Sequence, residues 1–216
     1  MLNGPEIAPR SGNSPKNLVI FMHGVGADGE NISDICNVLN RCVPDTHFLC
    51  PNGPFHYDMG MGGYQWFSLQ DRTESVLLEG INKALPKVNE YIDYHLNKFN
   101  LTDDNLAIMG FSQGCMMALH LGLRRPNPPA CVIGFSGALV GGEWLKTQKT
   151  NSPPIVMAHG DQDQVVELHR MEQSVQILET MNKDIEPHIF KGLAHGMNED
   201  SLTLAADSLK KHLNQI

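Results

Sequence analysis

No run of apolar residues in this chain approaches the roughly 20 needed to cross a bilayer, so stable membrane insertion is not expected. Positive charge is also in short supply. Lys and Arg number 16 against 24 Asp and Glu, a formal net charge of −8. An acidic surface repels phosphate backbones and anionic headgroups, which argues against a nucleic-acid partner. The opening residues MLNGPEIAPRSGNSPKN lack the basic start and apolar centre of a secretion signal. Cysteines are few and odd in number: Cys36, Cys42, Cys50, Cys115 and Cys131. That count, without a secretion signal, points to reduced thiols in a cytoplasmic protein. Zinc-protease, paired-cysteine and EF-hand spacings are missing, so neither a metal nor another cofactor is expected. Repeats, low-complexity stretches and long linkers are missing as well. The 216 residues therefore read as one domain with a sizeable core, preceded by a poorly defined segment over residues 1–16.

What the chain does have is alternation. Apolar β-rich runs at Leu18–Met22, His47–Cys50, Leu106–Met109, Cys131–Phe135, Ile155–Ala158 and Ile185–Lys191 are separated by helical patterns. Leu77, Leu78, Ile81, Leu85, Val88, Ile92, Leu96 and Phe99 keep helical spacing, and Pro86 among them predicts a kink or a break. Gln113–Arg124 reads as a helix stopped before Pro126. Asn198 is a candidate cap for a last helix that runs from Glu199 and Asp200 to Lys210, Lys211 and His212. Strands alternating with helices predict an α/β fold, a mostly parallel sheet covered on both faces. Ligand sites in such sheets lie beyond the carboxyl ends of the strands. The residues that follow each run are therefore the ones to examine.

Gly24, Gly26 and Gly29 after the first run form a G-x-G-x-x-G. A dinucleotide-binding turn would need an acidic residue at the end of the next strand, and Pro51-Asn52-Gly53 stands there instead. A turn that needs glycine for backbone reasons remains open. After Leu106–Met109 comes Gly110-Phe111-Ser112-Gln113-Gly114, a G-x-S-x-G between a strand and a helix. That context suits a nucleophile elbow, which lifts a serine hydroxyl above the sheet at a helix N-terminus. Gly134-Phe135-Ser136-Gly137 lacks the second flanking glycine, so Ser136 reads as a turn or cap residue. A serine needs a base, and the base an orienting acid, in the chain order Ser, acid, His. Asp161 and Asp163 follow one strand and His195 follows the last. Spacing alone does not choose between the two aspartates. His188, His169 and His212 fall inside elements and read as packing or surface residues. His159 precedes the acid and reads as support for its loop.

Together HGVGADG, CPNGP with QWFSLQDR, GFSQG, HGDQDQVV and GLAHGM resemble the phospholipase/carboxylesterase family of α/β-hydrolases, from about Lys16 to Lys211. That family includes acyl-protein thioesterases and small bacterial carboxylesterases. The resemblance implies a serine carboxylesterase with an α/β-hydrolase fold, the alternatives being an acyl-protein thioesterase or lysophospholipase on the same residues and, more remotely, a non-catalytic binding protein on that scaffold. At 216 residues no cap domain is expected beyond the core. The resemblance makes Ser112 the nucleophile, His195 the base and Asp163, rather than Asp161, the acid. It gives the oxyanion hole to the backbone N–H groups of Val25 and Gln113. It implies small ester or thioester substrates, no cofactor, and a monomer or homodimer. Cys115 departs from the family, many members having another glycine there. One stretch, which runs into the QWFSLQDR motif, is read from its composition. Phe55–Phe67 is apolar for a loop, and Met59, Met61 and Trp66 are candidates for the wall of an acyl groove, short to medium acyl groups being expected there. The alternative is a loop that packs its own aromatics over the sheet.

Overall fold

A computed structural model describes residues 1–214. Nine strands and six helices alternate along it. The main sheet contains β1 (Glu6–Ile7), β2 (Asn17–Met22), β3 (Thr46–Leu49), β6 (Leu106–Phe111), β7 (Cys131–Phe135), β8 (Ile155–Gly160) and β9 (Ile185–Phe190). Their order across the sheet is β1-β3-β2-β6-β7-β8-β9, parallel except for β1. β4 (Phe55–His56) and β5 (Tyr64–Gln65) form a small separate hairpin. No cap domain interrupts the sheet among the described residues.

Every residue of β2 is buried because the strand is covered twice. Leu18, Ile20 and Met22 face a core shared with α2 (Glu74–Phe99), α3 (Gln113–Arg124) and α5 (Leu168–Thr180). Val19 and Phe21 face the opposite core, shared with α1 (Gly29–Leu39) and α6 (Glu199–His212). This produces the continuous apolar runs seen in the sequence. Asn198 caps α6 reciprocally with Ser201. A short helix, α4 (Gly142–Leu145), had no periodic signature.

Two expectations change. α2 continues unbroken through Pro86. Proline in a helix interior costs about 3 kcal/mol, but Leu77, Ile81, Ala84, Leu85, Val88 and Ile92 on both sides of it are buried in one core. Burial of that stripe outweighs the lost hydrogen bond. The segment before Lys16 is also not featureless. Glu6 and Ile7 pair antiparallel with Leu49 and Phe48. Glu6 accepts a hydrogen bond from His47 Nε2 at 3.0 Å, and Lys98 Nζ lies 3.7 Å away. Burial raises the Glu6 carboxyl's pKa, but the His47 bond and the charges of His95 and Lys98 outweigh it, so the pKa is lowered.

Pro187 lies in β9, where it is tolerated because β9 is an edge strand. No helix among the described residues is long and apolar enough to cross a membrane.

Candidate active site

The β6–α3 junction is built around two close approaches. A Cβ on Gly110 would overlap the carbonyl of Gly114, and one on Gly114 would overlap the carbonyl of Met22. Only glycine lets the chain reverse this tightly between strand and helix. Ser112 sits at the apex with φ 54° and ψ −116°, a conformation that L-residues avoid and that costs about 1–3 kcal/mol. The main chain holds it there: Ser112 N–H donates to the Phe135 carbonyl at 2.8 Å.

β8 and β9 bring two further groups to this edge, and their following loops are tied together. Asp161 N–H donates to the Phe190 carbonyl and Gln162 N–H to the Leu193 carbonyl. Asp161 Oδ1 accepts from Gly192 N–H at 2.7 Å. Asp163 faces the other way and is buried. Its Oδ1 accepts from the N–H groups of Val165 and Val166, both at 2.9 Å. Its Oδ2 accepts from His195 Nδ1–H at 2.7 Å. With that proton on Nδ1, the other nitrogen of a neutral imidazole must accept. Ser112 Oγ–H donates to His195 Nε2 at 3.0 Å. Burial raises the pKa of the Asp163 carboxyl. The His195 hydrogen bond and the two backbone donors outweigh it and hold the group below the usual carboxylate range. The Phe111 ring lies 5.0 Å from the imidazole, centroid to centroid.

His159 is buried, and its Nε2–H donates to the Val166 carbonyl at 2.7 Å, bracing the Asp163 loop. Ser136 does more than the turn its sequence suggested. It is buried, has φ 48°, and its hydroxyl donates to the carbonyl of Gly196 at 3.2 Å, beside His195. No sequence feature marked that contact, because the two residues belong to different strand-end loops.

The loop His23–Gly29 lies against the elbow, as the nearness of Gly24 to Phe111 and Ser112 shows. Among the described residues, the N–H groups of Val25 and Gln113 donate to no backbone carbonyl. Gln113 opens α3, where the first N–H groups have no partner within the helix. Val25, Ser112 and Gln113 share a cleft of about 480 Å³, lined also by Leu77, Met116 and Val140.

The three groove-wall candidates lie elsewhere. Met59 and Met61 are exposed and do not line the cleft. Trp66 is fully buried. Its indole N–H donates to the His23 carbonyl and its backbone N–H to Gln113 Oε1, both at 2.9 Å. Gln113 Nε2 donates to the Phe67 carbonyl at 2.7 Å. Trp66 thus anchors the loop inward, because its indole and the Gln113 amide satisfy buried polar groups that water cannot reach. Leu69 and Arg72, just beyond it, reach the cleft instead. Cys115 is fully buried, which pushes its thiol up to about 12 and leaves it inert.

Comparison with known proteins agrees with this architecture. The family described as Phospholipase/Carboxylesterase matches residues 3–213. Acyl-protein thioesterase 1 of Mycosarcoma maydis is 29% identical over 95% of each chain. Esterase YpfH of Escherichia coli strain K12 is 26% identical over 89% of this chain and 82% of its own. The crystal structure of esterase PE8 superposes with a TM-score of 0.92 at 33% identity, covering 98% of this chain and 99% of the other. Acyl-protein thioesterase 2 of Zea mays shares the fold with a TM-score of 0.78 at 21% identity, covering 98% and 100%. Mostly parallel sheet, strand-to-helix elbow and near full-length matches lead to one assignment: this chain is a hydrolase of the phospholipase/carboxylesterase family, with the α/β-hydrolase fold.

Proposed function

We propose that this enzyme hydrolyses short to medium acyl esters or thioesters, with Ser112 as nucleophile, His195 as base and Asp163 as its orienting acid. The observation that carries the reading is the unbroken relay of 3.0 Å and 2.7 Å hydrogen bonds from Ser112 Oγ through His195 to Asp163. In the first step Ser112 Oγ bonds to the carbonyl carbon while its proton passes to His195 Nε2. The carbonyl oxygen becomes an oxyanion, held by the N–H groups of Val25 and Gln113. A single such donor is worth about 10²–10³ in rate. The bond to the leaving oxygen or sulfur breaks, and His195 returns the proton to it. Water then attacks the acyl-enzyme by the same route, releasing the acid and free Ser112.

The names of the relatives, acyl-protein thioesterase and esterase, support both the ester and the thioester reading. The open cleft, with no cap above it, supports acyl groups of limited length. Five free thiols support a reducing compartment such as the cytoplasm. The test is labelling with a fluorophosphonate, followed by peptide mapping. A stable adduct on Ser112, lost in Ser112→Ala, is expected. An adduct elsewhere, or none, would defeat the proposal.

A further inference from the structure

The cleft that holds Ser112 is lined by apolar side chains and by two cationic ones. Arg72 stands just before α2, and Arg170 stands in the first turn of α5. Both line the cleft and both are exposed. Neither has an ion pair or a side-chain hydrogen bond among the described residues. Arg124 and Arg125 are engaged, Arg125 with Asp93, Asp103 and Asn89 and Arg124 with Asn82, whereas Arg10 and Arg41 also have no side-chain partner among the described residues but do not line the cleft. Two of the four arginines without a side-chain partner thus line one cleft, in a chain of net charge −8.

One acidic residue, Glu167, also lines the cleft, and its carboxylate is taken up by His169 Nδ1 at 3.1 Å. Two arginines against one glutamate leave a local excess of about one positive charge. That balance suits a singly charged anion better than a phosphate monoester, which carries nearly two negative charges at neutral pH. Guanidinium matches the planar geometry of a carboxylate. Leu69, Leu77 and Met116 line the same cleft and offer apolar surface suited to methylenes.

We propose that Arg72 and Arg170 form an anion subsite, so that the preferred substrates are esters or thioesters whose acyl chain ends in a carboxylate. The methylenes lie along the apolar side chains while the carbonyl reaches Ser112. The far carboxylate meets the two arginines, so binding and orientation come from the end remote from the reaction. This deepens the serine-esterase reading and rests on it.

The experiment compares p-nitrophenyl adipate monoester with p-nitrophenyl hexanoate, which has the same number of acyl carbons and no terminal charge. Ser112→Ala supplies the background rate. The expected ratio of kcat/KM, anionic over neutral, is about tenfold at low salt, and it falls as sodium chloride rises. Arg72→Gln and Arg170→Gln should each lower that ratio roughly fivefold, with partial recovery in the lysine variants. Lys149→Gln removes the same charge beside a different cavity and should leave the ratio unchanged. A wild-type ratio of one or below, with Ser112-dependent cleavage of the hexanoate, overturns the subsite and spares the esterase reading. The subsite is likewise overturned if Lys149→Gln lowers the ratio as much as the arginine variants do. Failure to cleave either ester would overturn both.

Discussion

Replacing Asp163 by asparagine tests the proposed relay most sharply, because the surroundings dictate which way the amide must turn. Two backbone N–H groups, of Val165 and Val166, point at Oδ1. Asparagine must keep its oxygen there, since placing its NH₂ against two donors would strand them at about 1–3 kcal/mol each. The NH₂ is then forced towards His195 Nδ1. An imidazole facing a donor must accept at Nδ1 and carry its proton on Nε2. Nε2–H can no longer take the Ser112 proton. The fold should survive, because shape and the Oδ1 bonds are kept, while kcat falls about 10⁴-fold, a barrier increase of roughly 5 kcal/mol. Asp161→Asn is the matched control. Its oxygen still accepts from Gly192 N–H, so kcat should stay within about threefold. Steady-state hydrolysis of p-nitrophenyl butyrate, with circular dichroism to check folding, measures both. A loss under tenfold in Asp163→Asn, or a larger loss in Asp161→Asn, would refute the reasoning.

Gly114→Ala drives a methyl group into the Met22 carbonyl and should destabilise the protein by roughly 3 kcal/mol or more, read as a lower urea midpoint. Trp66→Ala empties a buried site and removes the tie to His23. It should cost about 3–5 kcal/mol, and any loss of kcat/KM should be equal across p-nitrophenyl esters of every chain length. A loss confined to long chains would return Trp66 to the groove. His120 is buried against the Val140 carbonyl and Arg124, and burial pushes its pKa down to about 4. The unfolded chain takes up that proton near pH 6.5 and the folded one does not, so stability is fully present above pH 6.5 and is lost as pH falls towards 4. From pH 7 to 5 this one group accounts for about 2 kcal/mol. His120→Asn should show that much less loss in urea titrations at the two pH values, and an identical loss would disprove the assignment.

The strand-end positions of Ser112, Asp163 and His195 were legible because each follows an apolar run, and a parallel sheet puts all such ends on one side. The roles of the two aspartates were not separable by spacing. What distinguishes them is direction: Asp161 reaches Gly192 while Asp163 reaches His195. Trp66 misled for a related reason. An aromatic residue in an irregular loop looks the same in sequence whether it lines a cavity or seals one. Its partners, His23 and Gln113, come from two other elements. Arg72 and Arg170 come to one cleft from separate elements, so nothing local marks them as a pair. The helical stripe through Pro86 was legible, but the break allowed there does not occur, because the local rule for proline ignores the packing on both sides.

The edges of the sheet carry a consequence of their own. An open sheet ends in backbone donors and acceptors that invite another strand to add, which is a route to aggregation. Here one end is closed by β1, only two residues long, whose Glu6 carboxylate is held between His47 and Lys98. A strand added beyond β1 would find little ladder to extend and a charge in the way. At the other end β9 offers Pro187, which has no N–H to give, beside the carboxylate of Glu186. A seven-stranded sheet that could in principle keep growing is thereby brought to a stop on both sides. Self-association of this chain would have to use side-chain surfaces rather than the ladder.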